Sequence, residues 1–230
     1  MLINKKTDKC ACCGTYCEHN FGEENYKEKE LDLDNYFKYK DIYVYKCPTC
    51  GMVSTNLSTE DKNLFEAIKD TDRYKSVVTY DYLEGVDLEL YENMSRAVPA
   101  NLYEVYAMMY ENSNDKETYL RALHKSIELK ELMIEKYRDE VEEDEDEEDE
   151  ELLERLEELM DANLEMSRKK FINEFLPYEE KNEFLFLMFI ENLIGLGELD
   201  MADKNLDFLI DNSNISEDIV DYIENLTDEE

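Results

Sequence analysis

Six cysteines fall within the first fifty residues, and four of them repeat one pattern. Cys10-Ala11-Cys12-Cys13-Gly14 and Cys47-Pro48-Thr49-Cys50-Gly51 are both C-x-x-C-G. Two residues between cysteines let a tight turn aim both sulfurs at one ion. The glycine that follows can take the left-handed conformation that turns backbone amides toward thiolates. Two such knuckles make a closed tetrahedral shell of four sulfurs. Zinc suits that shell, having no redox chemistry and no geometric demand beyond four ligands. The expected metal ligands are therefore Cys10, Cys13, Cys47 and Cys50, with Zn2+ as the cofactor. Four thiolates leave no open position for water, so this metal is expected to hold the fold and not to catalyse.

The gap between Cys13 and Cys47 holds 33 residues, longer than the roughly 15–20 of compact ribbons. Loop closure rises only with the logarithm of length, about 0.6 kcal/mol per doubling, so the gap is tolerable. A redox-active dithiol is the competing reading, but no βαβ pattern surrounds either pair. Two unligated, partly exposed pairs are the plainest alternative. Cys12, Cys17 and His19 are left over. Cys12 lies inside the first knuckle and is placed to replace a neighbour as ligand, although such spares are more often free thiols. His124 reads as a surface or packing residue.

The elements that must position these residues can be read in three zones. Residues 1–57 hold every cysteine, and Ile42-Tyr43-Val44-Tyr45 reads as a β-branched and aromatic strand delivering the second pair. Residues 58–138 read as successive helices. Ser58-Thr59-Glu60-Asp61 is a capping-box pattern, Pro99 suits a first helical turn, and Leu102, Val105, Tyr106 and Met109 follow at helical spacing. Leu120, Leu123, Ile127, Ile134 and Tyr137 then form one apolar stripe. The run 139–151 carries 12 of the 60 acidic side chains and is expected to be an exposed connector, since like charges four apart repel. Residues 152–230 resume the helical pattern with Leu152, Leu153, Leu156, Leu159 and Met160, then Phe171, Ile172 and Phe175 before Pro177. A helical hairpin is expected at 182–210, turning at Gly195-Leu196-Gly197, where Ala202 lets two antiparallel helices approach closely as in a tetratricopeptide repeat. The tryptophan of that repeat's signature is absent. Residues 99–137 are a looser second candidate, and a short helix at Glu217–Leu226 is expected to cap the end. The fold class expected is α+β, mostly α: a small N-terminal zinc ribbon followed by a tetratricopeptide-like helical domain.

The charge bounds the partners. The chain carries a net charge of −35. Without the acidic run, 48 acids still face 25 bases, a net of −23. So acidic a surface repels phosphate backbones and anionic membrane faces and attracts cationic proteins. Only Lys5, Lys6, Lys9, Lys38, Lys40 and Lys46 could make a local basic face near the knuckles. Neither a signal peptide nor a membrane span is legible, and the longest apolar stretch, Phe184 to Ile190, suits a buried helix. A cytoplasmic location follows as the expectation, and reduced cysteines there read as ligands before disulfides.

Around Cys10–Gly14, Val44–Gly51 and Asn192–Ala202, the chain resembles a bacterial family known as domain of unknown function 2225. The resemblance covers most of residues 8–212. A strand with a valine and an aromatic before C-P-x-C-G is matched by Val44, Tyr45 and Cys47 to Gly51. A Leu-Gly helix turn with a following alanine is matched by Leu196, Gly197 and Ala202. The first knuckle departs in lacking the usual proline and gaining Cys12, and Ile194 and Gly195 stand where basic residues often precede the Leu-Gly. The acidic run looks like a local insertion. The resemblance implies a zinc ribbon followed by tetratricopeptide-like helices and leaves the function open.

No phosphate loop, nucleophile elbow or H-E-x-x-H pair is present. The sequence thus reads as a non-enzymatic, zinc-binding adaptor that meets a protein or peptide, with a basic partner favoured by charge. A nucleic-acid-associated ribbon and a thiol or zinc redox sensor are the alternatives. The oligomeric state is not legible.

Overall fold

The computed structural model describes residues 4–21, 31–79, 97–142 and 150–228. The fold is α+β and mostly α: short antiparallel strands near the N-terminus and, among the described residues, nine helices. No described helix is long and apolar enough to cross a membrane. The chain divides into two compact units, one formed by residues 1–22 and 43–164, the other by residues 23–42 and 165–230.

In the first unit, β1 (Asn4–Lys9) pairs antiparallel with β2 (Tyr16–Phe21), Lys9 opposite Tyr16. β3 (Tyr45–Lys46) pairs with β4 (Val53–Ser54), Lys46 opposite Val53. Each C-x-x-C-G segment is therefore the loop of a hairpin. The expected strand at 42–45 is reduced to its last residue, Tyr45, joined by Lys46. Pairing needs a partner, and β4 supplies only two residues before Ser54 turns the chain.

Four helices of this unit follow: α2 (Thr59–Ile68), α3 (Asp72–Thr79), α4 (Ala97–Tyr110) and α5 (Lys116–Glu142). The Ser58 hydroxyl caps α2 by accepting from the Asp61 amide at 3.2 Å, as the sequence pattern predicts. α4 and α5 form a hairpin through Glu111–Asp115, and the Asp115 carboxylate accepts from the Thr118 amide at 3.0 Å at the start of α5. The predicted stripe of Leu120, Leu123, Ile127, Ile134 and Tyr137 is buried. His124 is buried too.

The helix α6 (Glu150–Phe175) begins in the first unit, burying Leu156 and Met160, and ends in the second, burying Phe171 and Phe175. Residues 143–149 of the acidic run lie outside the described residues. The run's described ends are helical, in α5 to Glu142 and in α6 from Glu150. Glutamate's helix propensity outweighs like-charge repulsion there.

The second unit is built on α7 (Glu183–Ile194), which buries nine of its twelve residues. A helix apolar on all sides belongs in the middle of a helical layer. Around it stand α1 (Leu33–Lys40), the end of α6, α8 (Leu199–Asn212) and α9 (Glu217–Asp228). Asn182 caps α7 by accepting from the Leu185 amide at 2.8 Å and donates to the Tyr39 hydroxyl of α1 at 3.1 Å. Tyr39 and Phe184 stack with ring centres 4.9 Å apart. α7 and α8 form the expected hairpin: Gly197 takes φ +70°, and Ala202, Leu206 and Leu209 are the buried residues of α8. The turn is capped from α6, where the Arg168 guanidinium donates to the Gly195 carbonyl. A cation there also complements the C-terminal end of the α7 dipole.

Candidate metal centre

The two knuckles are built alike, bond for bond. The Cys10 amide donates to the Thr15 carbonyl at 2.9 Å and the Gly14 amide to the Cys10 carbonyl at 2.8 Å. In the second knuckle the Cys47 amide reaches the Met52 carbonyl at 2.8 Å and the Gly51 amide the Cys47 carbonyl at 2.9 Å. Gly14 and Gly51 share φ +77°, the left-handed turn that the sequence pattern requires. A lysine precedes each pair, and its stem passes beside the knuckle glycine: a Cβ on Gly14 would stand 3.8 Å from Lys9 Cε, and one on Gly51 3.7 Å from Lys46 Cε.

The hairpins bring Cys10, Cys13, Cys47 and Cys50 together, close enough to hold one metal ion. Cys10 Sγ lies 3.6 Å from Cys50 Sγ, and Cys13 Sγ lies 3.6 Å from Cys47 Sγ. Cys10 and Cys47 are buried, Cys50 is partly exposed and Cys13 is exposed. Each knuckle lowers the pKa of one of its two thiols and raises that of the other. Burial alone would raise the Cys47 pKa, but amide hydrogen bonds from Cys50 and Thr49, with the Cys13 and Cys50 thiols, bring it down to about 6. The hydroxyl and amide of Thr15 lower that of Cys13. Burial raises Cys10 and Cys50.

A shared framework fixes the hairpins together. The Ala11 amide of the first knuckle donates to the Leu57 carbonyl at 3.1 Å. Leu57 adopts φ +51°, an uncommon conformation for a residue with a side chain, and its amide donates to Ser54 Oγ at 2.6 Å. Ser54 in turn donates to the Asp61 carboxylate of α2, whose other oxygen accepts from the Tyr110 hydroxyl of α4 at 2.5 Å. Asp61 is buried. The capping-box pattern gave no sign of this role: the Asp61 side chain serves the hairpin and α4, while Asn56 takes the Ser58 amide at 2.9 Å.

Of the remaining candidates, Cys17 is buried and its sulfur lies 3.7 Å from Cys47 Sγ, and burial pushes its pKa up to about 11. Cys12 is partly exposed. His19 Nε2 sits 3.1 Å from Asp8 Oδ2 and its ring stacks on Tyr45 at 3.4 Å, which ties β2 to β3. The Asp8–His19–Tyr45 contact escaped the sequence pattern, and Lys9 and Lys46, expected only as part of a local basic face, turn out to line the knuckle glycines. The lysines alone left a signal, a Lys at the same place before each C-x-x-C-G.

Fold and site together define an α+β protein with a four-thiol cluster held between two β-hairpins. No protein-family model, curated protein or solved structure matches this chain.

Proposed function

We propose that the protein is a zinc-ribbon adaptor, in which one zinc ion staples the N-terminal hairpins and the helices meet a partner protein. The sulfur spacing carries the metal reading. A tetrahedral ion with bonds of about 2.3 Å to sulfur sets its ligands about 3.8 Å apart, and the two cross-knuckle distances are 3.6 Å. Cys10, Cys13, Cys47 and Cys50 would hold the ion, which supplies a structural cross-link. Four thiolates and a divalent cation leave a net −2, and Lys9 and Lys46 flank it. The helical hairpin at 183–212 supports the adaptor reading; the resemblance to domain of unknown function 2225 bears on the architecture alone. The test is a pull-down with the zinc-loaded chain from its native cytosol at low and moderate salt. Reproducible enrichment of one protein, lost when the hairpin is altered, is expected; no reproducible enrichment overturns the reading.

The nucleic-acid alternative gains little from the lysines. Lys5 pairs with Glu18 at 2.7 Å, Lys6 with Asp8 at 2.9 Å, Lys38 with Asp34, and Lys40 with Glu191 at 3.0 Å. The thiol-sensor alternative has a specific support in Cys17. A peroxide could take two electrons from the Cys17 thiol and the Cys47 thiolate, joining their sulfurs and, with the Cys17 proton and one from solvent, yielding two waters, with loss of a zinc ligand. Mild peroxide treatment with zinc-release detection tests it, and retained metal contradicts it.

A further inference from the structure

We propose that the outer face of α8, centred on Met201 and Phe208, docks a cationic amphipathic helix of a partner protein. The proposal rests on the adaptor reading and gives it a surface and a partner chemistry.

Met201 and Phe208 are seven residues apart, two turns of one helix face and about 10 Å along the axis. Phe208 is 56% exposed and Met201 47% exposed. Between and beyond them on that stripe lie Asn205 and Asn212, whose side-chain amides fold back onto the carbonyls four residues earlier. Asn205 donates to Met201 O at 2.7 Å and Asn212 to Phe208 O at 2.8 Å. The polar members of the stripe are thus turned onto their own backbone, and the two apolar ones project.

The platform behind Phe208 is a packed group of aromatic rings. The Phe208 ring lies 5.9 Å from that of Phe186 on α7, which in turn meets Phe189 at 5.9 Å and Phe175 at 5.8 Å. Phe175 and Phe189 are buried. A contact on Phe208 therefore lands on a packed aromatic cluster, the setting in which interface residues contribute most to binding.

Charge selects the occupant. Beside the apolar stripe, Asp200, Asp203, Asp207 and Asp211 form a second stripe at spacings of three and four, all exposed. Residues 199–228 hold nine acids and one base, Lys204. The N-terminal residues 1–57 are nearly neutral, with nine acids and eight bases, which leaves 51 acids and 17 bases on the rest of the chain. A second copy, a nucleic acid or an anionic membrane would all bring negative charge to this face. A helix with apolar residues at i, i+3, i+4 and i+7 and lysines or arginines around them matches both stripes at once.

The test uses the full zinc-loaded chain and two synthetic peptides of about 15 residues with identical leucine and lysine content. One places its leucines along a single helix face; in the other their order is scrambled. Binding is measured by calorimetry at about 0.15 M salt. The patterned peptide is expected to bind about tenfold more tightly than the scrambled one, and Met201→Ser/Phe208→Ser to lose about tenfold for it. Asp203→Asn/Asp207→Asn is expected to weaken both binding and its salt dependence. Equal binding of the two peptides, full binding by the Met201→Ser/Phe208→Ser chain, or no binding of either peptide overturns the proposal. So does a concentration-dependent dimer that Phe208→Ser abolishes. If the Met201→Ser/Phe208→Ser chain still enriches the same protein in the pull-down, this face falls and the adaptor reading stands. Both substitutions lie at exposed positions, and an unchanged helical spectrum verifies that the variant is folded.

Discussion

The Tyr110 hydroxyl of α4 donates to the Asp61 carboxylate of α2 at 2.5 Å, in a buried pair that the Ser54 hydroxyl of β4 completes. One acidic side chain thus fastens the second hairpin to two helices. Removing one partner of a buried charged group leaves it under-bonded, at a cost of about 1–3 kcal/mol. Tyr110→Phe is therefore expected to lower stability by that amount in urea unfolding. Asp61→Ala, which strips both donors of their acceptor, should cost more. Equal stability of wild type and Tyr110→Phe would show that the bond contributes nothing.

The two knuckle glycines carry φ +77° in open surroundings. An added Cβ meets nothing closer than 3.7 Å, so the penalty of a side chain there is backbone strain alone. That strain is about 1–2 kcal/mol for an L-residue in the left-handed region. Gly14→Ala and Gly51→Ala should each weaken metal retention in a chelator competition by roughly 5- to 30-fold. Gly14→Asn should lose less, because asparagine tolerates that conformation. Identical retention by the alanine and wild-type chains would contradict the knuckle geometry.

Lys40 of α1 holds both oxygens of Glu191 at 3.0 Å, its ammonium 5.0 Å from the centre of the Tyr36 ring and 5.6 Å from that of Phe37. Tyr222 of α9 donates to the same carboxylate at 2.9 Å. Lys40 is buried and the Glu191 side chain is only 9% exposed, and breaking a buried ion pair from one side costs about 3–5 kcal/mol. Lys40→Ala should show that loss in thermal or urea unfolding. Lys40→Met/Glu191→Met should recover much of it, because no charge is then stranded. A double variant worse than either single would contradict this account.

Alkaline pH should unfold the first unit's helices through their tyrosines. Burial, reinforced by the Asp61 charge, pushes Tyr106 up to about 12, and burial with Glu157 does the same for Tyr137. A folded pKa above the unfolded value of about 10 gives stabilisation that is complete below pH 10 and is lost as pH rises toward 12. The urea midpoint should hold to about pH 9.5 and fall steeply above it. The late tyrosinate absorbance should rise together with loss of helical signal. Simple titration of all 17 tyrosines near pH 10 in an intact fold would contradict this.

The sequence made the cysteine pairs legible because the turn chemistry is local: spacing and glycine alone dictate each knuckle. The hairpin expected at 182–210 was legible for the same reason, through an apolar helix, a Gly-Leu-Gly turn and Ala202, and its second helix runs two residues further, to Asn212. β1 was not, since Asn4-Lys5-Lys6-Thr7-Asp8-Lys9 is polar and poor in strand formers. Its pairing is imposed by the knuckle that closes the hairpin. The long gap between the cysteine pairs also has a physical reason that no local pattern carries. It holds α1, whose Tyr36, Tyr39 and Lys40 are buried in the second unit. Cys17 drew no notice as a neighbour of Cys47 because strand register, absent from the sequence, sets the 3.7 Å between them.

Metal content of the chain, purified without added zinc, is the most direct test of the metal centre. Elemental analysis should find about one zinc per chain, lost in Cys47→Ser/Cys50→Ser and kept in Cys12→Ser and Cys17→Ser. A folded, metal-free wild-type chain, or a Cys47→Ser/Cys50→Ser chain that keeps its zinc, would contradict the four-thiolate site.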